Sequence, residues 1–280
     1  MHALATARAT ARRAAAAARP QPRAQPRARA VLVRAGWGDP VEFRKATLAS
    51  AGAACPDGGL RALVLRLPAE AARTFTSPGQ YVQIKSAGDA DAKPAYIALA
   101  SAPEAVANNG GMVDLLIKPQ PGQTAEALCA LPAGGEVLVS DAQGKGFPME
   151  RCPADRYPTV LLFATGSGIS PVRALIESGA LAGRPDVRLF YGTRSPAHTA
   201  YADLASGSWA LEHGVQVTHA YSEGEAGVYV QEAFARAGGL AGADPAATAV
   251  VMVGQKPMAE ALKEALGAAG VPADCMLSNF

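Results

Sequence analysis

Cysteine is scarce, and the four present (Cys55, Cys129, Cys152 and Cys275) are scattered with no C-x-x-C pair among them. That spacing argues against an iron–sulfur or zinc centre and against a disulfide framework, leaving single thiols. Histidine is equally thin. His2, His198, His213 and His219 make no ligand-spaced pair, so no metal site is expected. No apolar run approaches the roughly 20 residues that cross a bilayer, which excludes a transmembrane helix. Acidic residues are missing from positions 1–35, where eight arginines fall. Setting those eight aside leaves 18 basic against 24 acidic residues, a net of −6 behind the formal +2. An acidic body argues against nucleic acid as a main partner.

The acid-free N-terminus, rich in Arg and Ala and without an apolar h-region, reads as a transit peptide over residues 1–35, removed near Arg34-Ala35. A basic tail that binds polyanions is the alternative.

What is abundant differs between the two halves. From residue 41 to about 150 the chain offers six short strand patterns: VEFRKATLA, LRALVLRLP, QYVQIKS, AYIALAS, MVDLLIK and EVLVS. Turn chemistry such as PDGG, SPGQ, NNGG and PAGG separates them, and one helical piece, GQTAEALCAL, interrupts them. Six modest strands predict an antiparallel sandwich or closed barrel. After Tyr157, apolar strands alternate with helical patterns: TVLLFA, SPVRALIESGAL, VRLFYGT, HTAYADLASGSWALEHG, VQVTHAYS, VYVQEAFARAGG, AVVMVGQ and KPMAEALKEALGAAG. That rhythm predicts a parallel sheet covered by helices, with PADCMLSNF as a last edge strand. The expected fold is β + α/β, with a barrel domain over 36–153 and an α/β domain over 154–280.

Between the first strand and helix of the second half stands ATGSGISP. Small residues there let an anionic group approach backbone N–H groups, with Ser170 as N-cap and Pro171 in the first turn. It is neither the dinucleotide fingerprint, because Pro171 holds the third glycine position, nor a Walker loop. A tight turn without ligand is the competing reading of this stretch alone.

FTSPGQYVQI, GKGF, ATGSGISPVRAL, YGTRSPAHTAYADL, YVQEAF and VGQKPMAEAL occur in this order. Together they resemble the ferredoxin–NADP reductase superfamily, over roughly residues 40–280. Within it the chain is similar to the plant plastid FAD/NAD(P)-binding oxidoreductases, sometimes called fruit-protein-like. The resemblance implies a Greek-key flavin-binding barrel, an NAD(P)-binding α/β domain, and hydride transfer from nicotinamide to flavin. It also favours the chloroplast stroma over the mitochondrion as address.

Carried over residue by residue, the resemblance places Thr165, Gly166, Ser167 and Gly168 along the pyrophosphate of NAD(P)H. Gly254 and Met258 close the nicotinamide pocket, Thr193 and Arg194 lie by the adenosine ribose, and Tyr229 packs near the adenine. Phe280 and Val253 fall in the region where nicotinamide and flavin stack; no acid–base residue is implied. The flavin motif Arg-x-Tyr-Ser becomes Pro94-Ala95-Tyr96-Ile97, keeping the stacking Tyr96 but losing the arginine, with Lys93 adjacent, and placing Ile97 where the serine stood. The second phosphate motif becomes Gly122-Gln123-Thr124-Ala125, with Thr124 offering a hydroxyl. Val253 stands where many members have cysteine. Glu223, where an NADPH enzyme has arginine, tips the coenzyme toward NADH, with Arg194 as the one residue that could reverse this.

Three functions follow as expectations. The first is a flavoenzyme that moves electrons from NAD(P)H through FAD to an unidentified acceptor. The second is a catalytically weak nucleotide-binding protein acting as a sensor or assembly factor. The third is a reductase module for a larger complex, which the cysteine spacing disfavours. The sequence gives no reading of oligomeric state.

Overall fold

The first half of the chain builds a barrel from the expected strands. The computed structural model describes residues 31–34, 40–89 and 91–278. In chain order the elements are β1 (Val31–Arg34), β2 (Pro40–Ala53), β3 (Arg61–Arg66), α1 (Ala69–Thr74), β4 (Tyr81–Ser86), β5 (Ala95–Ala98), α2 (Pro103–Asn108), β6 (Met112–Ile117), α3 (Thr124–Ala130) and β7 (Glu136–Ser140). The strands pair antiparallel in the order β5-β4-β7-β2-β3-β6. A bridge between Leu99 and Leu115 joins the two ends, so the barrel is nearly closed. β1 lies antiparallel on the start of β2. Of the expected leader, residues 31–34 form that strand and the remainder lies outside the described residues.

Two-residue alternation decides which side chains fill the barrel. In β3, Leu63 and Leu65 point inward, meeting Val82 and Ile84 of β4, Val113 and Leu115 of β6, and Val137 and Val139 of β7. Two stretches that carry the family resemblance, SPGQ and GKGF, are mated turns. Gly146 has φ +68°, and a Cβ there would lie 2.6 Å from the Pro78 carbonyl oxygen. The Phe147 N–H donates to that same carbonyl at 2.8 Å while its ring is buried. α1 and α2 have only six residues each, too short to show a helical period in the sequence, and were not expected.

The second half continues β8 (Thr159–Thr165), α4 (Ile169–Glu177), β9 (Asp186–Thr193), α5 (Ala202–Ser206), α6 (Ser208–Leu211), β10 (Val215–Tyr221), α7 (Val230–Arg236), β11 (Thr248–Val253), α8 (Lys256–Ala268) and β12 (Met276–Ser278). All five strands are parallel in the order β10-β9-β8-β11-β12. The central strands β8 and β11 are apolar on both faces, as a sheet covered on both sides requires. Val160, Leu162 and Ala164 face one core, while Leu161 and Phe163 face the other. In the latter, Phe163, Phe190 and Phe234 pack as one stacked and two edge-to-face pairs. The helix expected over 198–214 is instead the two short helices α5 and α6. They part at Gly207, whose backbone leaves the helical region.

Barrel and sheet share a core. Leu60, Leu116, Phe147 and Met149 from the barrel side pack with Val160, Leu162 and Val251 of the sheet. Polar contacts pin the seam. Arg173 of α4 pairs with Asp114 of β6 at 2.9 Å and with Glu177 at 2.9 Å, its guanidinium lying over the Tyr201 ring. Ser170 is therefore not the N-cap expected of it. It sits inside α4, buried, with its hydroxyl donating to the Ala98 carbonyl of β5 at 3.3 Å.

Candidate active site

At the carboxyl ends of β8, β9 and β11 the chain leaves the sheet beneath the rim of the barrel, and a cleft of about 1910 Å³ opens there. Open parallel sheets place ligands at that edge, where strand order reverses between neighbouring crossovers. Every candidate site residue among the described residues lines this one cleft. From the barrel come Tyr96, Ile97, Gly122 and Thr124; from the sheet come Thr165, Gly166, Ser167, Gly168, Thr193, Arg194, Tyr229, Val253, Gly254 and Met258. Phe280 lies outside the described residues.

The loop after β8 is built by close approach. A Cβ on Gly168 would sit 2.7 Å from the Val253 carbonyl oxygen, and one on Gly254 would sit 2.0 Å from Thr165 Oγ1. Gly254 itself has φ +140°, open only to glycine. These two glycines let the ends of β8 and β11 touch, and the Gln255 N–H seals the contact by donating to Thr165 Oγ1 at 3.0 Å. Gly166 differs. Its φ is +53°, and nothing lies within 4 Å of where a side chain would go. Its free side faces the cleft while its carbonyl accepts the Tyr191 hydroxyl at 3.2 Å.

At the end of β9, Thr193 spends its hydroxyl inside the loop, 2.9 Å from Thr199 Oγ1 and 3.1 Å from the Ser195 carbonyl. It shapes the loop rather than offering a free hydroxyl. Arg194 stands 3.8 Å from Glu223, both largely exposed. Tyr229 is 57% exposed at the start of α7, where its backbone N–H donates to Glu232.

On the barrel rim, Tyr96 is 55% exposed and tilts against Tyr81 with ring centroids 5.8 Å apart. Ile97 is buried among barrel core residues. Two groups that the sequence offered for a phosphate are engaged elsewhere. Thr124 Oγ1 donates to the Lys93 carbonyl at 2.5 Å, and the Gly122 N–H donates to Glu126 Oε2 at 2.8 Å. The sheet side therefore has room for an NAD(P) pyrophosphate, with an open glycine edge above a helix start. The barrel side fits a flavin ring on Tyr96 better than a flavin diphosphate.

A further chain of polar groups reaches the cleft through Cys55, Asp57 and His198 and was not read from the sequence. Ser195 Oγ lies 2.7 Å from His198 Nδ1, His198 Nε2 lies 3.2 Å from Asp57 Oδ2, and the Cys55 thiol donates to Asp57 Oδ1 at 2.9 Å. The thiol bond, helped by the Gly59 amide and by nearby His198 and Arg194, holds the Asp57 carboxyl below its ordinary range. The Asp57 N–H also donates to the Ala197 carbonyl at 3.0 Å, so this chain fastens the β2–β3 hairpin of the barrel to the loop after β9. In sequence Asp57 looked like turn chemistry in PDGG, and His198 had no partner nearby. Only the fold brings them together.

Residues 162–264 match the oxidoreductase NAD-binding domain family. Fruit protein pKIWI502 of Actinidia deliciosa is 36% identical over 214 residues, covering 72% of this chain and 66% of that relative. The fold is that of the ferredoxin–NADP reductases. A Neisseria gonorrhoeae ferredoxin NADP+ reductase with bound FAD and NADP superposes with a TM-score of 0.69 at 16% identity, covering 85% of this chain and 99% of that one. The flavohem-like FAD/NAD-binding domain of nitric oxide dioxygenase from Vibrio cholerae superposes at 0.65 and 18% identity, over 84% and 97% of the two chains. The chain spans about two thirds of the length of that kiwifruit relative. Among the described residues no helix is long and apolar enough to cross a membrane, and no cluster of potential metal ligands occurs.

Proposed function

We propose that the chain is an NAD(P)H oxidoreductase in which hydride passes from the nicotinamide to a flavin, FAD by the family resemblance, and electrons leave to an acceptor still to be identified. The observation that carries this reading is the single cleft, which sets a nucleotide-binding strand edge against an exposed barrel tyrosine. When bound, the flavin supplies the two-electron chemistry. The chain supplies position. Gly166 leaves room for the pyrophosphate, Gly254 and Met258 bound the nicotinamide end, and Tyr96 offers an aromatic face for the flavin ring. Apolar Val253 and Ile97 help keep water from the meeting point.

The coenzyme is NADH in this reading. Arg194, the cation at the ribose, already faces Glu223, and a 2′-phosphate would meet that carboxylate. The basic leader favours a plastid address, which expression of residues 1–35 fused to a fluorescent protein would test. A second reading, a nucleotide-binding protein without turnover, draws on the engaged Thr124 and Gly122. Visible spectra of the full chain with added FAD, taken under anaerobic conditions, decide between them. Bleaching of a flavin band by NADH, faster than by NADPH, is the expected result. A flavin band untouched by both nucleotides would overturn the oxidoreductase reading.

A further inference from the structure

A flavin dinucleotide presents two things to a protein: an apolar three-ring system and a tail bearing a diphosphate. The cleft treats them unequally. For the ring it has Tyr96, 55% exposed and steadied by Tyr81. For the tail, two of the rim's polar groups are committed within the chain. The Gly122 N–H is taken by Glu126, and the Thr124 hydroxyl by the Lys93 carbonyl. Pro94, which follows Lys93, has no N–H to give.

Glu126 also adds a negative charge to the lining, where a diphosphate would sit. The cations on this rim are Lys93 and Lys118. Each is a point charge on a long flexible stem, which attracts a phosphate without fixing it as a planar arginine fork would.

We propose that the flavin is a substrate of this protein and not a resident group: an oxidised flavin, recognised by its ring and little by its tail, enters the cleft, is reduced and leaves. This rests on the hydride-transfer reading above and deepens it by naming the acceptor class. The step balances. The C4–H bond of the dihydronicotinamide breaks with its electron pair, an N5–H bond forms on the flavin, and the nicotinamide is oxidised as the flavin gains two electrons. Solvent supplies the proton at N1, or the hydroquinone leaves as its anion. A flavin whose tail is not clamped dissociates fast enough to turn over, because affinity differences between related complexes reside mostly in the off-rate.

The test uses the full chain and two probes, riboflavin and FAD, each titrated by quenching of flavin fluorescence. Dissociation constants within about tenfold of each other are expected, because the tail adds few paired contacts. Glu126→Gln keeps a carbonyl oxygen for the Gly122 N–H but removes the charge. It should tighten FAD by about threefold or more and leave riboflavin unchanged, because only the dinucleotide carries charge to be repelled. Oxidation of NADH should then saturate with added riboflavin. FAD that stays with the protein through dialysis, with riboflavin neither bound nor reduced, would overturn this inference and leave the oxidoreductase reading standing. An FAD-to-riboflavin ratio unmoved by Glu126→Gln would also overturn it. Failure to bind or reduce either flavin would overturn both.

Discussion

The two walls of the cleft were assembled by different logics. On the sheet side, glycines draw backbone against backbone and leave one edge, at Gly166, with nothing beside it. On the barrel side, the comparable small-residue stretch at Gly122 is also open beyond its missing Cβ, yet its N–H is already bonded to Glu126. On this account an open backbone edge is not by itself an anion site. What decides is whether the N–H groups have been left for a ligand.

Substitutions at three glycines sharpen the contrast. Gly254→Ala carries the largest effect, since its Cβ would overlap Thr165 Oγ1 at a φ of +140°. Overpacking and backbone strain together predict a loss of roughly 2–4 kcal/mol, read by urea unfolding, along with loss of NADH binding. Gly166→Ala meets no atom and should cost only about 1–2 kcal/mol for its left-handed backbone, but should weaken NADH. Gly122→Ala should cost about the same and leave NADH affinity alone. Equal NADH affinities for Gly166→Ala and Gly122→Ala would erase the difference between the walls.

The coenzyme pocket offers the next effect. Glu223→Arg removes the partner of Arg194 and adds a second cation. NADPH should gain about tenfold in kcat/KM relative to NADH, the worth of a new charge-assisted hydrogen bond. An unchanged ratio would place the ribose away from Arg194.

The smallest predicted effect lies in the buried core, near the amino ends of the sheet strands, and serves as a control. Burial, then hydrogen bonding and charge from Cys275, push the Cys152 thiol up to about 12. Its folded value is raised, so the thiol's contribution to stability is whole below the unfolded value near 9 and is lost as pH rises toward 12. The urea midpoint should fall from pH 8 to pH 10, and less so in Cys152→Ala. Native protein should resist alkylation at Cys152, because the thiolate is the nucleophile.

Much of this architecture was legible in the sequence because it rests on period. The six barrel strands and the first four parallel strands announced themselves through alternation or apolar runs, the fifth only as a tail after the last helix, and the TGSG stretch through its place between strand and helix. Ser170 was misread because a serine before proline looks the same whether it caps a helix or reaches across to the barrel carbonyl of Ala98. Thr124 and Gly122 were read by motif, which shows residue types but not the partners those residues already have. The Asp57–His198–Ser195 chain was invisible, since its members are separated by 141 residues between Asp57 and His198 and meet only at the domain seam.

The central claim is that the sheet wall is a finished nucleotide site and does not wait for a flavin. Calorimetric titration of NAD+ into the flavin-free full chain, compared with Gly166→Ala and Gly122→Ala, tests it most directly. The account predicts saturable one-to-one binding that Gly166→Ala weakens and Gly122→Ala does not. Absence of NAD+ binding until FAD is added would contradict it, making the two walls parts of a single site that only a resident flavin completes.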